Sequence, residues 1–309
     1  TDQQVQVPDD PEHSVYVWLD ALMNYLTTTT YCDDDENWKE AWPASTQVVG
    51  KDILRFHAVY WPAFLMAMKL PLPKRLVAHG HWTIERVKMS KSLGNVVDPL
   101  DLLERGYSVD AVRYFLLRDG AIASDGDFSE TQLVNRYHSE LADTLGNLVS
   151  RCTSPKLLKH VTKNETPYDP DNTTDLEITT CLRNLSSDVE GLYDEYNFVF
   201  ALQNIHSTLS SINVWFASQE PWVLARDPEK LSRLVDVMYV TQESVRIASL
   251  LLQPVIPESS NSILDILGVS EDERNFSCAR FESRSKSEFV DFVTKRGNAK
   301  PEIVFRKFQ

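Results

Sequence analysis

Near Phe128 the spacing of apolar residues changes, and this change limits the possible folds more than any other feature of the chain. Upstream, residues 14–19 (SVYVWL), 46–49 and 75–78 (RLVA) are β-branched or aromatic runs that read as strands. Stretches of helical spacing lie between them, at 20–30 and from about Asp52 to Met68, where Pro71 and Pro73 end the second. Strands alternating with helices build a parallel sheet, which binds ligands outside the carboxyl ends of its strands. Asp20, Asp52 and His79 fall at those ends. Downstream, 130–152, 175–193, 198–216, 228–252 and 258–267 all carry apolar residues at helical spacing, separated by polar or proline-containing turns. The expected fold class is therefore α/β followed by all-α. Its expected domains are 1–128 and 129–309, joined through the small and turn-forming residues 119–128 (DGAIASDGDF). The acidic run 33–36 reads as a solvated loop, and the tail 300–309 is expected to add a short strand (EIVF).

Composition excludes more than it assigns. No apolar run approaches the roughly 18 residues of a membrane span, so no membrane partner is expected. Residues 1–11 are polar and acidic, unlike a secretory signal or a transit peptide. Four cysteines without a C-x-x-C pair predict a reducing compartment, no structural zinc in this chain and no other metal site. A net charge of −14 argues against loose, charge-driven binding of nucleic acid, while leaving room for a local basic patch.

The most informative string is Lys88-Met89-Ser90-Lys91-Ser92, continuing Leu93-Gly94-Asn95-Val96-Val97-Asp98-Pro99. Two lysines, two serines and a glycine in a loop suit a triphosphate, because ammonium groups and hydroxyls meet phosphate oxygens. Contacts that tighten as charge develops on departing pyrophosphate favour the transition state over the ground state. The string resembles the signature of class I aminoacyl-tRNA synthetases, which activate an amino acid with ATP and transfer it to tRNA. It is shared by the isoleucine, valine, leucine and methionine enzymes, so it indicates the class and leaves the substrate open.

Two further stretches resemble the amino-acid pocket of methionyl-tRNA synthetases: residues 17–25 (VWLDALMNY), and 50–57 (GKDILRFH) followed by Trp61-Pro62-Ala63. On physical grounds Ala21, Leu22 and Tyr25 share one helical face, and His57 and Trp61, four apart, share another. Aromatic rings and small aliphatics suit a thioether, since sulfur against a ring gains about 0.3–1.5 kcal/mol. By the resemblance, Trp18, Ala21, Leu22, Tyr25, His57 and Trp61 would contact methionine. Asp52 would accept from the adenylate ribose, with Gly50 allowing close approach. Ile53, His79 and Trp82 would border adenine, while Lys88, Ser90 and Lys91 would hold the triphosphate, the two lysines being catalytic. ATP with Mg2+ would be the substrate complex. Leu22 stands where many methionyl enzymes carry proline, a feature of the bacterial-like, organellar branch.

Farther on, residues 141–151 (LADTLGNLVSR) resemble the first helix of the family's anticodon-binding bundle, and 218–222 (SQEPW) a later loop. Asn147 and Arg151 lie four apart on one face, and Trp222 follows a proline suited to a first helical turn. Aromatic stacking plus hydrogen bonds to splayed bases is how single-stranded loops are read. The resemblance implies that Asn147, Arg151 and Trp222 contact the CAU anticodon of tRNA-Met.

The His-x-Gly-His string of class I enzymes does not occur in these 309 residues. The expectation is accordingly an incomplete chain that does not form methionyl-adenylate alone. Partners expected are tRNA-Met, methionine and ATP, with a monomeric state and a mitochondrial matrix location preferred to a bacterial cytoplasm. The competing readings are a non-catalytic tRNA-binding module and another class I synthetase of isoleucine or valine type.

Overall fold

The computed structural model describes residues 5–31, 38–161, 167–169, 172–296 and 303–308. It forms two compact units, one holding residues up to His81 together with Ile122–Asp125, the other holding Trp82–Ala121 and everything from Gly126. The acidic run 33–36 and Cys32 lie outside the described residues.

The first unit opens with an antiparallel hairpin, β1 (Gln6–Val7) and β2 (Asp10–Ser14). Helix α1 (Trp18–Thr27) follows, then the short α2 (Trp38–Ala41) and strand β3 (Gln47–Gly50). Beyond Gly50 the chain passes a 3-10 turn (Lys51–Ile53) and a π-helical turn (Phe56–Tyr60) into α3 (Trp61–Ala67). It returns as β4 (Leu76–His79), parallel to β3 from Gln47↔Leu76 to Gly50↔His79. This is the expected strand–helix–strand crossover, and Leu22, Leu26, Trp61 and Leu65, all fully buried, form its core with Trp42.

One expected strand in this unit is a helix start instead. Residues 14–19 do not pair as a buried strand: Val15 bonds back to Val5, and Val15, Tyr16, Val17 and Leu19 are each more than half exposed. Strand preference of Val and Tyr reflects packing on a sheet face, and α1 begins at Trp18 before such a face is built.

The second unit begins with β5 (Trp82–Ile84), flanked by antiparallel β6 (Val87–Lys88) and by parallel β7 (Gly126–Asp127). Between β6 and β7 lie α4 (Pro99–Glu104), N-capped by Asp98, and α5 (Val109–Asp119), N-capped by Ser108. A long helical run then combines α6 (Glu130–Arg136), a π-helical segment (Tyr137–Gly146) and α7 (Asn147–Cys152). After α8 (Pro155–Leu158) come the bundle helices α9 (Leu176–Asp194) and α10 (Phe198–Ser218), the short α11 (Pro221–Leu224), then α12 (Leu231–Leu252), α13 (Pro257–Leu267) and α14 (Lys286–Arg296). Helix α12 is buried on every face from Val237 onward: Val237, Met238, Val240, Val245, Ile247 and Leu251 have no exposed surface. Its buried charge is paired, Arg246 donating to both oxygens of Glu243 at 2.8 and 2.7 Å.

The tail also departs from expectation. Residues 303–308 form no strand; they run along the π-helical segment with their backbone bonded to side chains. Tyr137 Oη donates to the Arg306 carbonyl at 3.1 Å, and the Phe308 amide donates to His138 Nε2 at 3.0 Å. Phe305 packs against Tyr137 and over Gly146, where a Cβ would stand 3.1 Å from its ring.

Candidate functional site

In the first unit, α1 and the π-helical turn bring aromatic side chains from two sequence-distant stretches together. Tyr25 Oη lies 2.8 Å from His57 Nε2, and His57 Nδ1 lies 2.9 Å from the Ile53 carbonyl. A carbonyl can only accept, so Nδ1 carries a proton and donates to it. His57 is buried, Trp61 fully so, and the Tyr25 ring meets both at centroid distances of 5.6 and 6.0 Å. Burial pushes the Tyr25 phenol above its usual pKa, keeping the hydroxyl protonated. Trp18 stacks on Phe56 at 3.9 Å and meets His57 edge-on at 6.0 Å. Leu22 is fully buried in the same cluster as Trp61, whereas Ala21, on the same helix, is exposed. The widened π-helical turn contains both Phe56 and His57.

At the carboxyl ends of β3 and β4, the Asp52 carboxylate lies 3.2 Å from His81 Nε2. A Cβ on Gly50 would stand 2.8 Å from the Asp52 carboxylate, which would have to swing away to admit it. Lys51 Nζ donates to Asp125 at 2.6 Å, and the His81 amide donates to the same oxygen at 2.8 Å. The Lys51 hydrogen bond, then the His81 amide, hold the Asp125 carboxyl below its ordinary value. His79 is exposed, its Nδ1 2.7 Å from the Gly80 carbonyl. Among these residues His81, Lys51 and Asp125 were not anticipated. The string His79-Gly80-His81 offered two histidines, and only the contact with Asp52 distinguishes the second.

In the second unit, residues 88–98 form a compact loop held by its own polar groups. The Ser90 amide donates to Asn95 Oδ1 at 2.8 Å, Asn95 Nδ2 returns a bond to the Lys88 carbonyl, and Ser90 and Ser92 hydroxyls meet at 2.6 Å. Gly94 turns the loop at φ 66°, a left-handed conformation that favours glycine. Lys88 and Lys91 are both exposed. The hairpin delivering Lys88 turns through Glu85 and Arg86 at φ 51° and 63°, and Asp127 secures it by accepting from Thr83 Oγ1 at 2.6 Å and the Arg86 amide at 2.9 Å. Those bonds, Thr83 first, lower the Asp127 pKa. Trp82 packs inward, against Phe115 and over Gly126.

Elsewhere in this unit Asn147 and Arg151 both reach one residue that sequence reasoning missed, Asn213 of α10, each at 3.1 Å from its Oδ1. Arg151 also lies over the Phe216 ring at 5.6 Å. Trp222 is 47% exposed on α11, behind Glu220 at φ 47°. Gln219 anchors that loop by accepting from Arg233 at 2.7 Å, and Arg233 grips the fully buried Asp175 with two bonds of 2.6 Å.

The chain's likeness to known proteins agrees with this arrangement. Residues 2–153 match the model of the family described as tRNA synthetases class I (M). Over 318 residues the chain is 41% identical to the methionine–tRNA ligase of Rickettsia conorii, covering 99% of this chain and 58% of that protein. Its fold superimposes on Mycobacterium tuberculosis methionyl-tRNA synthetase, a structure bound by methionyl-adenylate, with a TM-score of 0.83 and 40% identity over 99% of this chain and 59% of that one. The chain belongs to the methionyl-tRNA synthetases. It spans less than two thirds of the length of these relatives. The α/β part followed by a helical bundle is the fold of this synthetase family. A mitochondrial location is corrected: the relatives are mainly bacterial, from Rickettsia and Mycobacterium, which favours a bacterial cytoplasmic origin. A Dictyostelium discoideum relative, 42% identical over 88% of this chain and 48% of its own length, is described as a probable mitochondrial ligase. Among the described residues of this synthetase chain, no group of three or more His, Cys, Asp or Glu could hold a metal, and Cys152, Cys181 and Cys278 are free.

Proposed function

We propose that the protein carrying this chain ligates methionine to tRNA-Met through a methionyl-adenylate, at the expense of ATP. The observation that carries this reading is the Tyr25–His57–Trp61 cup, with His57 and Trp61 buried, whose rings suit a thioether side chain. Trp18 and Leu22 complete it, with Ala21 at its open side. The carboxylate of methionine attacks the α-phosphorus of ATP, an acyl–phosphate bond forms, and the α–β phosphoanhydride bond breaks to release pyrophosphate. Mg2+ enters with ATP as part of the substrate. Asp52 takes the ribose hydroxyls, with Gly50 leaving room for the backbone approach, while Ile53, His79 and Trp82 border the base. Lys88 and Lys91, with Ser90, stabilise the charge that develops on pyrophosphate, so their contribution is larger in the transition state than in the ground state. A hydroxyl of the terminal adenosine of tRNA then attacks the activated carbonyl, an ester forms, AMP leaves and the hydroxyl proton passes to solvent.

In the same reading residues 1–128 serve adenylation and 129–309 serve tRNA recognition, the protein acting as a monomer. Asn147 and Arg151 bond to base edges and Trp222 stacks, together reading the CAU anticodon. The test is ATP–pyrophosphate exchange by the protein carrying these residues, with each amino acid in turn. Exchange dependent on methionine is expected. Exchange dependent on isoleucine or valine instead would move the protein to another class I specificity. Absence of exchange, with binding of tRNA-Met retained, would make it a tRNA-binding module.

A further inference from the structure

Asn213 stands on α10 between the two residues assigned to base recognition. Its Oδ1 accepts from Asn147 Nδ2 at 3.1 Å and from Arg151 Nη1 at 3.1 Å. Its Nδ2 donates to the carbonyls of Thr144 at 3.1 Å and Leu209 at 3.2 Å. These four bonds allow one orientation of the amide. Reversed, its NH2 would face two donors and its oxygen two carbonyls.

Fixing Asn213 also fixes Asn147. The Asn147 amide has to turn its nitrogen toward Asn213, which leaves its own Oδ1 as the atom offered elsewhere, an acceptor. Arg151 is held through Nη1 and by the Phe216 ring beneath it, and its remaining N–H groups are donors. Asn147 also borders a groove of about 540 Å³ with Gly146, Ser150 and Val304, so its surroundings have room for a base. An acceptor beside guanidinium donors complements the pairing edge of cytosine, whose amine donates while its ring nitrogen and carbonyl accept. Uracil presents a carbonyl where cytosine has the amine. Meeting it would require the Asn147 amide to reverse, which would break its bond to Asn213 and set two carbonyl oxygens against each other.

We propose that Asn213 is the positioning residue that makes this site prefer cytosine to uracil in a single-stranded RNA loop, by locking Asn147 as an acceptor. The assignment rests on the anticodon reading above and deepens it. Asn213 itself touches no base; it acts through Asn147 and Arg151.

The experiment is fluorescence anisotropy of the 309-residue chain with labelled RNA hairpins that carry CAU or UAU in the loop. The wild-type chain is expected to prefer CAU, and Asn213→Leu to lose about tenfold of that preference, the discrimination of one base-edge pair. Asn213→Leu is also expected to keep the wild-type affinity for the UAU hairpin, an outcome that a general loss of structure would not produce. Asn213→Ala carries the same test should Leu impair folding, checked by circular dichroism. A CAU preference kept undiminished by the Leu and Ala variants would overturn this assignment alone. A wild-type chain without any CAU preference would overturn it together with the anticodon reading.

Discussion

Tyr25 Oη and His57 Nε2 lie 2.8 Å apart, and the second ring nitrogen of His57 is committed to the Ile53 carbonyl. This chain of bonds links α1 to the π-helical turn and places a proton on His57 Nδ1. An aromatic-walled cup follows from it directly.

Tyr25→Phe removes the hydroxyl that meets His57 Nε2 and leaves that buried nitrogen without this partner, which costs about 1–3 kcal/mol. The expected result is a KM for methionine raised by roughly tenfold or more, with a smaller change in the KM for ATP, read from exchange kinetics. Equal increases in both would show that the pair supports the unit as a whole and does not shape the methionine site.

Asp127→Asn weakens the two bonds that secure the turn leading to Lys88. Since Glu85 and Arg86 hold left-handed conformations there, the hairpin gains freedom and the first lysine of the loop is less well placed. A fall in kcat for adenylation with an unchanged methionine KM is expected. A variant with wild-type kcat would show that the loop positions itself.

Glu140 is buried and bonded by Tyr114 at 2.6 Å, by Arg118 at 3.0 and 3.2 Å, and by Arg136 at 2.7 Å. Burial alone would raise its pKa, but the Tyr114 hydroxyl and the Arg118 charge outweigh it, and the folded value lies below the ordinary one. A carboxyl depressed in the folded state contributes stability above the unfolded value of about 4.3, and that contribution is lost as pH falls through the folded pKa. Urea unfolding is therefore expected to show stability falling from about pH 5 toward about pH 3, with a shallower fall in Glu140→Gln. At neutral pH the variant should lose about 3 kcal/mol, since two arginines lose a buried partner. Identical pH profiles for the two proteins would contradict this.

Trp222→Ala removes a half-exposed ring whose burial the core does not require. A loss of about 1–3 kcal/mol in affinity for tRNA-Met is expected, the worth of one stacked base, with methionine-dependent exchange unchanged. Unaltered tRNA affinity would remove Trp222 from the RNA-binding face.

The sequence was most readable where local pattern and packing agree. Helices α9, α10, α12 and α13 lie close to the segments expected from apolar spacing, and β3 and β4 pair in parallel as the alternation implied. Residues 14–19 misled because Val, Tyr and Trp are as suited to the exposed approach to α1 as to a buried strand. The tail misled in a similar way: Ile303, Val304 and Phe305 have strand preference, but Phe305 finds its burial against Tyr137 on a helix. Helices α5 and α14 passed unread, their spacing interrupted by charged residues such as Arg113, Arg118 and Asp291. At the candidate sites the side chains proposed to face a ligand could be named from the sequence, and their supports could not. Asn213 is one amide in an apolar helix, and His81 a second histidine in a short string; only the fold shows that they hold Asn147, Arg151 and Asp52.

The central claim is tested most directly by aminoacylation of purified tRNA-Met with labelled methionine by the protein carrying these residues. Charging of methionine that falls sharply in a Lys88→Ala, Lys91→Ala variant while tRNA-Met is still bound is the predicted result. Charging by the wild-type protein of any other amino acid in preference to methionine, or no charging at all, would contradict it.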